Sequence, residues 1–218
     1  MRLVLLAVVL LSACDGCGPR VRSGGYATQV DEIKYEATLR LAVLCPNGKV
    51  SLGTGVAVAP KVVLTAKHVV TCGDLGDALQ ILAKTNRGTF HDLALVKHLK
   101  DGDVSVLVSA DAAFPVYGQL GDYHLQIGQS VCVVANDNDT NYLLSKCSQL
   151  SRVEHPWIVF GAHVVPGNSG AAVWDAAGRV IGIVSGGDWS PGREYELVAT
   201  GASAFAGEVQ SEMPAWMN

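Results

Sequence analysis

A serine stands between two glycines in the segment 166–170, whose sequence is P-G-N-S-G. Glycine tolerates backbone dihedral angles that other residues resist, so the chain can turn tightly around Ser169. Such a turn can aim adjacent N–H groups at one point beside the hydroxyl, which combines a nucleophile with a site for a negatively charged oxygen. An isolated P-G-N-S-G match is also typical of an ordinary turn. Chemistry at this serine therefore requires a base and an acid elsewhere in the chain.

A histidine that could be this base lies upstream, in the sequence T-A-K-H that ends at His68. It follows a predicted buried strand, and an imidazole there can take the proton of a serine hydroxyl. Two aspartates could orient the ring: Asp92 in H-D-L-A-L-V and Asp103 in G-D-V-S-V-L. Both are followed by small and aliphatic residues, so their local pattern does not separate them.

The composition limits the class of protein. The 218 residues are 49% hydrophobic and 17% charged, with a net charge of −4, which is typical of one or two globular units. Lysine and arginine form no cluster large enough to follow a phosphate backbone, so nucleic acid is not an expected partner. The 24 glycines and the scarcity of long helical periods favour β structure.

Short apolar runs between turn residues predict two sets of strands with a boundary near residue 115. The first set follows a short helical turn and strand within 31–44, and comprises 50–52, 55–59, 62–65, 79–84, 89–98 and 104–109. The second set precedes a short helix within 204–217, and comprises 130–135, 142–150, 155–160, 171–174, 179–184 and 197–200. Residues 130–150 read as a hairpin.

The N-terminus has the features of an export signal. Arg2 precedes the apolar run 3–11, which is well short of the roughly 20 residues that span a bilayer. The sequence L-S-A-C that ends at Cys14 resembles the bacterial lipobox, which implies cleavage before Cys14 and lipid attachment to it. We therefore expect a signal peptide at 1–13, a tether at 14–28, and a lipid anchor on the extracytoplasmic or periplasmic face of the cell membrane. An ordinary signal that happens to precede a cysteine is the alternative.

Six cysteines in an exported chain indicate disulfides before metal ligands. We expect the pairs Cys45–Cys72 and Cys132–Cys147, since each closes a local loop within one half of the chain, although one sequence does not establish connectivity. Cys17 is left over in the tether. Neither a metal nor another cofactor is expected, because the C-x-x-C spacing has no matching second pair.

The chain order His68, Asp103, Ser169, with the T-A-K-H and P-G-N-S-G motifs, resembles the chymotrypsin-like serine peptidases over about residues 40–205. The resemblance implies an all-β fold of two Greek-key antiparallel β-barrels, with the active site between them and a short C-terminal helix. The barrels would occupy 29–115 and 116–218.

The resemblance also implies the role of each residue. In this family the acid follows a glycine-containing turn and opens a strand, which favours Asp103 and leaves Asp92 as an outward-facing strand residue. His68 would be the general base, and the N–H groups of Gly167 and Ser169 would form the oxyanion hole. The pair Cys45–Cys72 would correspond to the family's disulfide that brackets the histidine.

Other positions carry implications for specificity. Asn168 replaces the aspartate that pairs with a newly cut N-terminus in trypsin-type zymogens, and the motif looks like the bacterial Deg-type branch. That branch usually has a peptide-binding domain after the protease, which is not expected here. The resemblance places His163 on the floor of the substrate pocket, where it would favour an acidic or amide side chain or simply be a polar wall residue. Ser185 and Gly186 would form the pocket edge.

The remaining histidines, His91, His98, His124 and His155, are expected at the surface without partners. The expected function is that of an exported, lipid-anchored serine endopeptidase acting on protein or peptide substrates. The alternative is a catalytically inactive, protease-like peptide-binding module, since a fold can persist when its chemistry is lost. An esterase using the same residues is a third hypothesis.

Overall fold

The computed structural model describes residues 29–121, 124–136, 143–162, 165–188 and 196–217. It begins with helix α1, Gln29–Ala37, which runs directly into the first strand. The Thr38 hydroxyl donates to the carbonyl oxygen of Lys34 at 2.7 Å and so satisfies a carbonyl group of the last helical turn. Two further α-helices lie within the described residues, α2, Lys67–Val70, and α3, Ala206–Met217. No helix in the described ranges has the length and hydropathy of a membrane span.

Six strands of the first half form a closed antiparallel barrel in the order β1-β2-β3-β6-β5-β4. Its interior is filled by aliphatic side chains such as Leu39, Leu41 and Leu107, all fully buried. The strands are β1 Thr38–Leu44, β2 Val50–Ala57, β3 Val62–Thr65, β4 Gln80–Lys84, β5 Phe90–His98 and β6 Ser105–Ser109.

The second half forms another closed antiparallel barrel. Its strands are β7 Gln119–Leu120, β8 Ser130–Asn136, β9 Leu143–Glu154, β10 Trp157–Gly161, β11 Ala172–Asp175, β12 Arg179–Asp188 and β13 Glu196–Gly201. Strands β8 to β13 make the barrel, which closes because β11 pairs with both β8 and β12. The two-residue strand β7 adds to β12 in parallel. The predicted all-β fold of two barrels with a short C-terminal helix is confirmed.

The two barrels share one apolar cluster. It includes Val56 and Leu64 from the first barrel, Trp174 and Ile183 from the second, and Phe205 before α3, each at most 1% exposed. The helix α3 is held to the first barrel by Lys97, whose ammonium group donates to Glu208 at 2.5 Å and to Glu212 at 2.9 Å. The barrels are therefore joined by a continuous core and by the C-terminal helix.

Both predicted disulfides are present. Cys45–Cys72 joins the end of β1 to the loop after α2, and Cys132–Cys147 joins the paired strands β8 and β9. The second bridge fastens the hairpin predicted for residues 130–150. Cys14 and Cys17 lie outside the described residues.

The prediction of separate strands at 50–52 and 55–59 is wrong, because β2 is continuous from Val50 to Ala57. Two glycines within this strand, Gly53 and Gly55, lie in close contact with neighbouring side chains. A Cβ atom on Gly53 would lie 2.7 Å from the Val69 side chain, and one on Gly55 would lie 3.0 Å from Val63. The short strand β7 was not predicted, since two residues carry too little pattern.

For His91 and His98, the prediction of a surface position without partners is wrong. His91 is only 4% exposed, packs against Phe114 with ring centroids 4.5 Å apart and the rings tilted by 44°, and has its Nδ1 3.5 Å from Asp111 Oδ1. His98 bonds Ser105 Oγ at 2.6 Å through Nδ1 and Asp77 Oδ1 at 2.9 Å through Nε2. Their partners come from other parts of the chain, which local sequence does not reveal. His124 and His155 are exposed as expected.

Candidate active site

His68 lies in the short helix α2, just after β3. Because the last residue of β3, Thr65, pairs with the first residue of β6, Ser105, the segments beyond these two ends are neighbours. Asp103, two residues before β6, therefore meets His68. The His68 N–H donates to Asp103 Oδ1 at 3.1 Å, and His68 Nδ1 lies 2.6 Å from Oδ2. The His68 side chain is 49% exposed and that of Asp103 only 20%, so the carboxylate lies behind a ring that faces solvent.

The Asp103 carboxyl group is kept ionised. Its partial burial is the largest single influence and favours the neutral form, but the hydrogen bonds and charge of His68 oppose it, helped by a hydrogen bond from Ser185. Together they hold the pKa of Asp103 below its usual value. A carboxylate in this state can only accept hydrogen bonds, so the proton of the 2.6 Å contact belongs to His68 Nδ1.

Thr200 on β13 holds the backbone of Asp103 from the second barrel. Its hydroxyl oxygen accepts from the Asp103 N–H at 3.0 Å and lies 3.4 Å from the hydroxyl of Ser185. The turn before Asp103 has Gly102 at φ +82°, and a Cβ atom there would overlap the Thr200 side chain. Asp103 is thus held by contacts from both barrels.

Asp92, the other candidate acid, lies elsewhere. It is in the middle of β5, opposite Leu82 of β4, and its Oδ1 accepts a hydrogen bond from Gln80 Nε2 at 3.1 Å. Its side chain is partly buried beside that glutamine. Of the two aspartates that the local pattern could not separate, only Asp103 contacts His68.

Ser169 is in a turn just before β11. The N–H groups of Asn168, Gly170 and Ala171 donate to carbonyl oxygens at 3.2, 2.8 and 3.0 Å respectively. The N–H groups of Gly167 and Ser169 have no hydrogen-bond acceptor among the described residues. Gly167 at φ +101° and Gly170 at φ +85° have left-handed backbone angles that favour glycine. The turn therefore leaves two N–H groups beside the serine available to a ligand.

This turn packs against the strand end that leads to His68. Gly170 faces the carbonyl oxygen of Thr54, the hydroxyl of Thr65 and the N–H of Ala66, and a Cβ atom on it would overlap them. Thr65 and Ala66 lie within three residues of His68. The serine turn of the second barrel is thus packed against the segment of the first barrel that leads to His68.

The predicted pocket residues are only partly visible. Ser185 lies in β12 at the irregularity between Val184 and Gly186, with its hydroxyl 3.4 Å from that of Thr200, while Gly186 pairs with Val198. His163 lies outside the described residues. Within those residues, no group of three His, Cys, Asp or Glu side chains is arranged to hold a metal ion.

Sequence reasoning missed the contact by which Thr200 holds the backbone of Asp103. Thr200 is 97 positions from the residue it holds. The one local signal was a polar residue on a fully buried strand position, in the sequence L-V-A-T-G, and this does not identify a partner.

The family is established by residues 53–183, which match the trypsin-like peptidase domain. This match covers more than half of the chain. The chain belongs to the trypsin-like peptidase family. The family assignment confirms the prediction of a serine endopeptidase of the trypsin-like type.

Solved structures share the fold of this trypsin-like peptidase at low sequence identity. The Rv3671c protease from M. tuberculosis in its active form has a TM-score of 0.71 and 18% identity, over 85% of this chain and 84% of that one. The HtrA-type protease AlgW, solved with a tripeptide, has a TM-score of 0.68 and 24% identity, over 84% and 62%. A serine endoprotease from Yersinia pestis has a TM-score of 0.67 and 24% identity, over 85% and 66%. The chain thus spans about two thirds of the latter two.

Proposed function

We propose that this chain is an exported serine endopeptidase that cleaves peptide bonds with Ser169 as nucleophile, His68 as general base and Asp103 as the orienting acid. The observation that carries the proposal is the pair of hydrogen bonds between His68 and Asp103, at 3.1 and 2.6 Å. The serine loop packs against the segment just before His68. The trypsin-like family supports it independently.

The proposed reaction follows from the protonation of the ring. With the Nδ1 proton directed to Asp103, Nε2 is the nitrogen that we assign as the base. Ser169 Oγ attacks the scissile carbonyl carbon as its proton passes to His68, and the imidazolium then gives this proton to the leaving amine. Water attacks the resulting acyl-enzyme by the same route, which releases the acid and restores the serine.

We assign the stabilisation of the negatively charged oxygen that forms at each attack to the N–H groups of Gly167 and Ser169. Both are without an acceptor among the described residues and belong to the loop of the nucleophile. In comparable sites one such donor lowers the barrier by roughly 3 kcal/mol. We assign the substrate pocket to His163, Ser185 and Gly186.

The serine can be tested by covalent labelling. A fluorophosphonate probe is expected to modify Ser169 in the purified, disulfide-intact protein, and Ser169→Ala is expected to abolish labelling. The same substitution should lower kcat for peptide hydrolysis by roughly a factor of 10⁶ while the melting temperature changes little. Absence of any labelling of the wild-type protein would instead support the inactive binding module. Ester turnover without peptide turnover would support the esterase.

We also propose that the mature protein begins at a lipidated Cys14 and is anchored to the membrane, with residues 14–28 as a tether. An acyl chain contributes about 0.8 kcal/mol per buried methylene, so loss of the lipid should release the protein from the bilayer. Cys14→Ser is expected to move the protein from the membrane fraction to the soluble fraction. The matched control Cys17→Ser should remain in the membrane fraction. If Cys14→Ser stays in the membrane fraction as wild type and Cys17→Ser do, the lipid anchor at Cys14 is contradicted.

A further inference from the structure

Thr54 is a fully buried threonine in the G-T-G segment of β2, and its contacts reach the serine loop. Its hydroxyl donates to the carbonyl oxygen of Gly167 at 2.6 Å, and its N–H donates to the carbonyl oxygen of Ser169 at 2.9 Å. Its own carbonyl oxygen accepts from the Thr65 hydroxyl at 2.7 Å. One residue of the first barrel thus holds two carbonyl groups of the loop that carries the nucleophile.

The direction of the Thr54 hydroxyl is determined by Asn136 at the end of β8. The Asn136 N–H lies 3.1 Å from Thr54 Oγ1, and its side-chain Nδ2 lies 3.2 Å away. A hydroxyl group has one proton and two acceptor lone pairs. Because both lone pairs of Thr54 Oγ1 face N–H donors, its proton is directed to the carbonyl oxygen of Gly167. Asn136 is itself buried and donates through Nδ2 to the Leu39 carbonyl oxygen at 3.0 Å, so this arrangement is fixed on both sides.

These bonds determine how the loop presents its free N–H groups. The Gly167–Asn168 peptide is held at its oxygen by Thr54 and at its nitrogen by the Val165 carbonyl oxygen, 3.2 Å away. Gly167 has φ +101°, a region where its peptide can rotate with little steric cost, so an external contact has to fix it. Without the Thr54 hydroxyl, the buried Gly167 oxygen would also lose its partner, which costs free energy and favours rotation.

We infer that Thr54 is a positioning residue, whose hydroxyl holds the Gly167–Asn168 peptide so that the N–H groups of Gly167 and Ser169 point into the cleft. This inference rests on the proposed peptidase function and extends it. Thr54 itself touches no reacting atom. Its effect is expected on the stabilisation of the transition state and not on substrate binding.

The test compares variants of the full chain. Thr54→Val keeps the shape and removes the hydroxyl, whereas Thr54→Ser keeps the hydroxyl. Thr38→Val is the matched control, since Thr38 is also fully buried in the first barrel and its hydroxyl donates to a carbonyl oxygen, that of Lys34, away from the loop. If Thr54→Val does not fold, Thr54→Ala takes its place because it leaves room for water at the same position.

Thr54→Val should lower kcat for peptide hydrolysis by roughly 10- to 100-fold and leave KM within about threefold. Affinity for a peptidyl boronic acid, whose tetrahedral adduct places an oxygen in the oxyanion hole, should fall by a similar factor. Thr54→Ser and Thr38→Val should keep kcat within about threefold of wild type. An unchanged kcat in Thr54→Val, or an equal loss in Thr38→Val, would overturn the inference.

Amide hydrogen exchange separates this inference from the proposed function, because it needs no activity. The Gly170 N–H, which donates to the Val184 carbonyl oxygen at 2.8 Å, should exchange faster in Thr54→Val and at the wild-type rate in Thr38→Val. A wild-type protein that Ser169-directed probes never label, but whose loop still loosens in Thr54→Val, would disprove the peptidase and retain the positioning role. If the wild-type protein is active and Thr54→Val changes neither the exchange of the loop nor kcat, the peptidase function is retained and the positioning role of Thr54 is disproved.

Discussion

At the scale of single residues, Asp103 is held through its side chain and its backbone by different parts of the molecule. His68 bonds the carboxylate, and Thr200 bonds the N–H. The backbone contact does not depend on charge, so an amide at this position should keep its place. The His68 backbone N–H would still take the amide oxygen as its acceptor, so the amide NH2 group would face Nδ1 and donate to it, which moves the ring proton to Nε2.

Asp103→Asn should therefore lower kcat by roughly 10⁴ with an intact fold, because the base is then in the wrong tautomer. Asp92→Asn is the matched control, since it makes the same change at a carboxylate that bonds only Gln80 among the contacts described above. It should leave kcat within about threefold. Steady-state kinetics of the two variants, with circular dichroism to verify folding, checks this. Similar losses in both would contradict the assignment of the acid.

At the scale of elements, the turn that carries His68 is fastened at several points. The disulfide Cys45–Cys72 ties its far end to β1. His98 of β5 connects Ser105 of β6 with Asp77, whose backbone forms a bridge with Thr71. The turn is thus attached to three strands of the first barrel, and this attachment limits how far the imidazole can move from the serine loop.

Removal of the first disulfide should therefore affect both stability and activity. Closing its loop, with a sequence separation of 27, is worth about 3 to 4 kcal/mol of unfolding free energy. The double variant Cys45→Ala with Cys72→Ala should lose this much in urea unfolding and should also lose kcat. The control Cys132→Ala with Cys147→Ala, which opens a loop with a separation of 15, should lose about 3 kcal/mol and retain more of its kcat. Equal losses of kcat would show that the first bridge has no special effect on the site.

At the scale of the whole molecule, the candidate site lies where two barrels meet, so its geometry depends on how they dock. The apolar cluster that contains Val56, Trp174 and Phe205 is shared between them. Hydrogen bonds also cross this boundary, such as that from Thr54 to Gly167 and that from Asp103 to Thr200. Because hydrogen bonds are directional, they restrict the orientation in which the two barrels pack. We expect the barrels to unfold together, because neither keeps its share of the core without the other.

Phe205→Ala tests this docking. Phe205 is 1% exposed in the shared cluster, so its truncation should lower the unfolding free energy by about 3 to 5 kcal/mol. Denaturant unfolding followed by circular dichroism and by tryptophan fluorescence should give coincident transitions for wild type. The control Leu79→Ala, at a side chain 66% exposed, should change the free energy by no more than about 0.5 kcal/mol. Two separate wild-type transitions would contradict the single cooperative unit.

The sequence by itself determined the β class, most of the strands and the local loops that both disulfides close, whereas the two-barrel fold came from the resemblance to the chymotrypsin-like peptidases. Strand alternation and turn residues are local signals, and each disulfide closes a short loop, so neither requires knowledge of distant neighbours. The T-A-K-H and P-G-N-S-G motifs are local in the same sense, and they led to His68 and Ser169. The lipidated Cys14 and the pocket residue His163 remain predictions, since both lie outside the described residues.

The family resemblance favoured Asp103 over Asp92, but only the tertiary structure shows Asp103 in contact with His68, and only it placed Thr54 and Thr200 near the site. The pattern of small and aliphatic residues after the two aspartates is similar, and what differs is the pairing of β3 with β6. The partners of Thr54 and Thr200 are 113 and 97 residues away in sequence. A hydrogen bond between such residues depends on the docking of two barrels, and the periodicity of a single strand does not predict that docking.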